Sequence, residues 1–137
     1  ELGSGKTVFI RGLAQARLGK ETAVTSPTYV LEHVYRGARG AVHHLDLCRL
    51  DGSADFEGAG LMESLRDAQA LVAIEWAERA ERLLPADRIE VQLEHRGLQQ
   101  RLVRVRATGP QSAAVVAAWL KLAGTRERLL RLLAAGT

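Results

Sequence analysis

The first residues of the chain, Glu1-Leu2-Gly3-Ser4-Gly5-Lys6-Thr7, read as most of a phosphate-binding loop entering a helix. The full pattern is GxxxxGK[ST], and its leading glycine would stand one residue before Glu1. Glycines in such a loop let successive backbone N–H groups turn inward, forming a nest for a β-phosphate at the positive end of the following helix. Gly3 and Gly5 suit that job, and Gly3, Ser4, Gly5, Lys6, Thr7 and Val8 are the expected nucleotide-binding residues. Lys6 would neutralise β- and γ-phosphate oxygens, while the Thr7 hydroxyl would ligate the magnesium ion that bridges them. The same string also fits a flexible start with a solvated helix cap. Residues 8–18 favour the first meaning: they are amphipathic, with Phe9, Leu13 and Ala16 beside Ile10 and Ala14, and Gly19 offers a left-handed stop.

A strand should run into a loop of this kind, and the sequence offers no residues for it. The chain is therefore expected to be a fragment of a longer protein, lacking the first, central strand of its sheet. Its 137 residues, 47% of them hydrophobic, suffice for a single buried core. One cysteine, Cys48, allows no intramolecular disulfide, which fits a reducing cytosol and a cytoplasmic location. No apolar run is long enough to span a bilayer, so no membrane partner is expected. The net charge of +3 is mild for a nucleic-acid binder. Arg101, Arg104, Arg106, Arg126, Arg128 and Arg131 read as solvated charge on a weakly basic surface.

Beyond Gly19, residues 20–24 read as a short extended piece, and Thr25-Ser26-Pro27-Thr28 as a loop, since Pro27 holds Ser26 out of helical geometry. Residues 29–35 and 41–47 are β-prone and joined by Arg36-Gly37-Ala38-Arg39-Gly40, which suits an antiparallel hairpin. The second run delivers Asp46 near its C-terminal end, the edge at which open α/β sheets bind ligands. Residues 51–60 form a polar connection with room for a turn of helix. Ala70-Leu71-Val72-Ala73-Ile74 is the continuous apolar run of a strand covered on both faces, and it ends in a second acid, Glu75. A short helix over residues 77–84 closes at Pro85, residues 89–94 and 101–106 make a half-exposed hairpin, and helices follow over residues 111–122 and 126–135.

These strings together are similar to one family. The residues from Glu1 to Thr7, Ser26-Pro27-Thr28-Tyr29, His44-Leu45-Asp46-Leu47-Cys48-Arg49-Leu50, and Ile74-Glu75-Trp76 with Glu78-Arg79 and Leu84-Pro85 resemble TsaE (YjeE) in order and spacing, over roughly residues 1–109. That family comprises small bacterial P-loop ATPases required for threonylcarbamoyladenosine modification of tRNA. The resemblance implies ATP or ADP and Mg2+ as ligands. It implies that Lys6 and Thr7 hold phosphates and metal, that Asp46 helps position the metal, and that Thr28, in a switch loop, reaches toward the γ-phosphate side. It also implies that Glu75 is the acid needed for hydrolysis and a further metal neighbour, with Trp76 the aromatic beside it. The implied partners are TsaB and TsaD, with tRNA met indirectly through their complex. Cys48 stands where the family usually has an aromatic, a mild change in packing next to Asp46.

The fold class expected is α/β, a P-loop NTPase-like three-layer sandwich with a mixed sheet and C-terminal helices. Residues 1–109 are expected as the ATPase domain and 110–137 as a helical tail. Taken without the resemblance, Asp46 and Glu75 are equally well ordinary strand-end acids capping loops. Trp76 fits a core position as readily as a site position. Adjacent His43 and His44 point to opposite faces of a strand, so they are expected to be structural or solvent-facing rather than a metal pair. The rival functions are a P-loop kinase, for which no arginine-rich lid insertion is visible, and an inactive or RNA-binding fragment. Aromatics at 4% leave little for base stacking.

Overall fold

A computed structural model of the chain describes residues 3–51 and 53–123. The chain divides into two compact units, one holding Gly5–Leu84 and the other Pro85–Thr137 together with Glu1–Ser4.

The Gly5–Leu84 unit is a mixed three-stranded sheet between two helical layers. Helix α1 spans Lys6–Leu18, starting two residues before the apolar pattern does. Gly5 is its N-cap at φ 101°, and Gly19 stops it at φ 122° by donating its N–H to the Gln15 carbonyl. Strands β1 (Glu32–Gly37) and β2 (Gly40–Asp46) form the expected antiparallel hairpin, with Gly37 opposite Gly40. At Gly40, φ is 105° and a Cβ would stand 2.8 Å from the Gln69 carbonyl oxygen, so the turn requires glycine there. Strand β1 begins later than the sequence suggests. Val30 and Leu31 both donate to the Pro27 carbonyl (2.9 and 2.8 Å), closing a turn that withdraws Tyr29 and Val30 from the sheet. The connection after β2 carries two short helices, α2 (Ser53–Gly58) and α3 (Met62–Arg66), before β3 (Ala70–Glu75) pairs parallel with β2.

Two apolar clusters flank this sheet. On one face Val42 packs with Ala14 of α1 and Val24, joined by Leu18, Tyr35 and Leu71. On the other, Leu45, Leu47, Leu50, Phe56, Leu61 and Ala80 form the larger cluster, covered by α2, α3 and a 3-10 helix over Ala77–Leu83. That last element is the short helix expected over residues 77–84, in 3-10 form and one residue shorter. Trp76 enters it in the left-handed conformation (φ 59°) and Ala80 breaks its course (φ −127°), so regular i to i−4 bonding never develops. Because β2 is covered on both faces, every residue from Ala41 to Asp46 is buried. His43 and His44 are therefore structural and not solvent-facing. His43 Nδ1 lies 2.5 Å from Glu32 Oε1 and its Nε2 3.1 Å from Asp67 Oδ2.

The second unit contains the antiparallel hairpin β4 (Ile89–His95) and β5 (Arg101–Ala107), with helix α4 over Pro110–Ala123 in contact with both strands. Two arginines of β5 meet acids across the ladder, Arg106 pairing with Glu90 and Arg104 with Glu94. Asp87 secures the start of α4, accepting the N–H groups of Gln111 (2.8 Å) and Ser112 (2.9 Å). The helix expected over residues 126–135 lies outside the described residues, as do Glu1 and Leu2 of the loop.

Candidate functional site at the ends of β2 and β3

Parallel pairing of β2 with β3 sets Asp46 directly opposite Glu75 at the C-terminal ends of the two strands. Side chains alternate along a strand, so His44 and Asp46 share the face of Val42, and Glu75 that of Leu71, both of which belong to the cluster on the α1 side. Three ionisable groups thus come to one edge beneath the start of α1. Asp46 is 3% exposed and Glu75 5%.

The helix meets them through Thr7, whose Oγ1 donates to Glu75 Oε1 at 2.7 Å. Lys6 Nζ lies over the Trp76 ring, 4.4 Å from its centroid, a cation–π contact. Trp76 also packs against the larger core cluster, the core position that the sequence left open for it. The N-cap of α1, Gly5, makes no side-chain capping bond, and the first turn of the helix carries no acid. The opening N–H groups of a helix have no partner within it, and with the dipole they favour an anion. Gly3 and Gly5 take positive φ, at 73° and 101°, as a loop of inward-turned amides requires.

Thr28 sits on Asp46: its Oγ1 donates to Asp46 Oδ2 at 2.6 Å and lies 2.7 Å from Ser26 Oγ. The other oxygen, Oδ1, accepts the Cys48 N–H at 3.0 Å. Burial pushes the Asp46 carboxyl up, but these hydrogen bonds to the charged form outweigh it and hold the group below its ordinary value. Burial and the adjacent Asp46 push the Cys48 thiol up, away from thiolate reactivity.

Sequence reasoning missed one member of the site. His44, completely buried, places Nε2 3.0 Å from Glu75 Oε1, the same oxygen that Thr7 reaches. The available signal was its spacing: two residues before Asp46 on a strand, it has to share the acid's face. Among the described residues no group of three or more His, Cys, Asp or Glu is arranged to hold a metal ion.

Residues 1–103 match the family model described as threonylcarbamoyl adenosine biosynthesis protein TsaE. The chain belongs to the TsaE family. Among its relatives is the Borreliella burgdorferi tRNA threonylcarbamoyladenosine biosynthesis protein TsaE, 40% identical over 89 residues, a stretch covering 65% of this chain and 64% of that protein. The TsaE proteins of Treponema pallidum (39% over 92 residues, 67% and 66% of the two chains) and Haemophilus influenzae (34% over 95 residues, 69% and 59%) are similar in the same way. The chain thus spans about two thirds or less of the length of these TsaE relatives. A crystal structure of YdiB from Bacillus subtilis shares the fold at a TM-score of 0.71, with 24% identity over 88% of this chain and 72% of that one. The TsaE membership and this likeness agree with the three-layer α/β architecture and mixed sheet of the Gly5–Leu84 unit.

Proposed function

We propose that this TsaE-family chain is the core of a Mg2+-dependent P-loop ATPase acting in threonylcarbamoyladenosine modification of tRNA. The observation that carries the reading is the Thr7–Glu75 hydrogen bond, which ties the start of the glycine-flanked helix to the paired strand-end acids. Gly3, Ser4, Gly5 and Val8 supply loop and helix amides for the phosphates. Lys6 turns its ammonium from the Trp76 ring to the β- and γ-phosphate oxygens, and Trp76 flanks the nucleotide.

The donor set suits magnesium. Mg2+ takes a few hard oxygen ligands and completes its shell with waters and phosphates. Thr7 Oγ1 and the Asp46 carboxylate would supply such ligands, with Glu75 a neighbour to the ion, which when bound would supply charge neutralisation at the phosphate oxygens. Hydrolysis then needs a water aimed at the γ-phosphorus, opposite the oxygen that leaves with ADP. Glu75 orients that water and accepts its proton as the new P–O bond forms and the bond to the β-phosphate oxygen breaks. Asp46, already ionised and held by Thr28 and Cys48, stays a fixed negative charge, so the two acids divide the work. Thr28 is poised to exchange Asp46 for the γ-phosphate side.

The partners proposed are TsaB and TsaD, which this ATPase serves by supporting turnover of their assembly, with tRNA reached through that complex. The setting proposed is the cytoplasm; no described helix is long and apolar enough to cross a membrane. Residues 1–109 form the ATPase domain in this reading, and 110–137 its helical tail. The test is ATP hydrolysis by the full-length protein, with and without the TsaB–TsaD pair. A slow rate that rises on adding the pair is expected; binding of Mg-ATP with a rate indifferent to the pair would overturn the role.

A further inference from the structure

We infer that His44 is a positioning residue for Glu75, fixing which carboxylate oxygen faces the reacting water; the inference rests on the ATPase reading above. His44 is fully buried on β2, with Nε2 3.0 Å from Glu75 Oε1, and among the described residues its Nδ1 has no hydrogen-bond partner. A carboxylate only accepts, so Nε2 carries the proton, and Nδ1 keeps an idle lone pair, the less costly atom to leave unpaired in a core. Packing alone would be served as well by an apolar ring with no idle nitrogen. What the imidazole adds is one directed bond, and it goes to Glu75.

That bond has a geometric consequence. Thr7 Oγ1 and His44 Nε2 both reach Oε1, from the helix and from the neighbouring strand. Two donors on one oxygen fix the carboxylate plane and turn Oε2 away as the oxygen that takes the water's proton. When Thr7 is drawn toward a nucleotide-bound metal, His44 remains as the bond that preserves this orientation. It belongs to β2, whose backbone is locked to β3 at this level by the pairing of His44 with Ala73 and of Asp46 with Glu75.

The test is single-turnover and steady-state hydrolysis by the full-length protein carrying His44→Phe, His44→Gln, Glu75→Gln, and His44→Phe with Glu75→Gln. His44→Phe keeps ring volume and removes the donor; kcat is expected to fall about 10- to 100-fold, the scale of an ångström-level misplacement, while the Kd for Mg-ADP holds. His44→Gln returns an N–H toward Oε1 and recovers most of the rate. On the Glu75→Gln background, His44→Phe costs little more, because residues acting as a unit are not additive. A Phe variant that loses nucleotide affinity and rate together, a Gln variant no better than Phe, or full additivity would overturn the positioning role. Imidazole 15N spectra of the free protein give a readout apart from activity: the Nε2–H tautomer of His44 is expected, with a shift on Glu75→Gln, and an Nδ1–H tautomer would overturn the assignment. A wild-type protein that binds Mg-ATP without hydrolysing it, alone or with partners, overturns the ATPase reading and the role within it. A normal wild-type rate with an unaffected Phe variant overturns the inference about His44 alone.

Discussion

The Lys6 ammonium rests 4.4 Å from the centre of the Trp76 ring, joining the first turn of α1 to the residue that follows the second strand-end acid. The ring is held from below by the core cluster and carries a left-handed backbone, φ 59°, uncommon for a bulky residue. Conformations of this kind gather at functional sites.

Phosphate binding should therefore be visible in tryptophan emission. In a Trp119→Phe background, titration with Mg-ADP is expected to change Trp76 fluorescence as Lys6 leaves the ring. Lys6→Ala removes a charged donor worth ~1.5–3 kcal/mol, so nucleotide affinity should fall about 10- to 100-fold. Calorimetry alongside fluorescence checks both, and unaltered affinity in the variant would remove Lys6 from the site.

Thr28→Val tests the support of Asp46. The folded-state carboxyl lies below its ordinary value, so the stability it contributes is present above the unfolded-state value and is lost as pH falls through the folded one. Without the hydroxyl, one of the hydrogen bonds that offset burial is gone and the folded value rises. The variant should lose ~1–3 kcal/mol at neutral pH, with the deficit shrinking below about pH 4 as Asp46 protonates. Urea unfolding at a series of pH values measures this; a deficit independent of pH would show that Thr28 acts by packing.

Phe56 is completely buried within the larger cluster, where α2 closes one face of the sheet. Phe56→Ala should cost ~3–5 kcal/mol in chemical denaturation. A cost under about 1 kcal/mol would mean that the cluster refills the space.

Asp87 binds two amides at the start of α4, and its carboxyl is held low, first by the Ser112 hydroxyl and then by the amides. Asp87→Ala should lower the urea midpoint of unfolding, as loss of an N-terminal cap does. Amide exchange in the first turn of α4 should rise with it, and unchanged exchange would argue that the turn holds by other means.

What the sequence made legible follows physical locality. The Gly3-to-Thr7 string, the hairpin at residues 36–40 and the apolar run ending in Glu75 each carry their structure in adjacent residues, and all three appear as expected among the described residues. The start of β1 was not legible, because Pro27 accepts two N–H groups from residues whose composition is as β-prone as the strand itself. The contacts of Thr28 with Asp46 and of His44 with Glu75 span 18 and 31 residues and exist only once β2 lies between its neighbours. Arg104 and Arg106 of β5 read correctly as solvated charge, exposed and paired here with acids of β4.

The pairing of β2 with β3 carries one more consequence. Asp46 and Glu75 owe their spacing to backbone hydrogen bonds, so the site is gauged by the ladder and not by the reach of flexible side chains. A slip of one residue along β3 would send Glu75 through the sheet into the Phe56 cluster and present Ile74 to Thr7 and His44. Val72 and Leu45, packed in the Phe56 cluster, thereby set the spacing of the two acids through the register they hold.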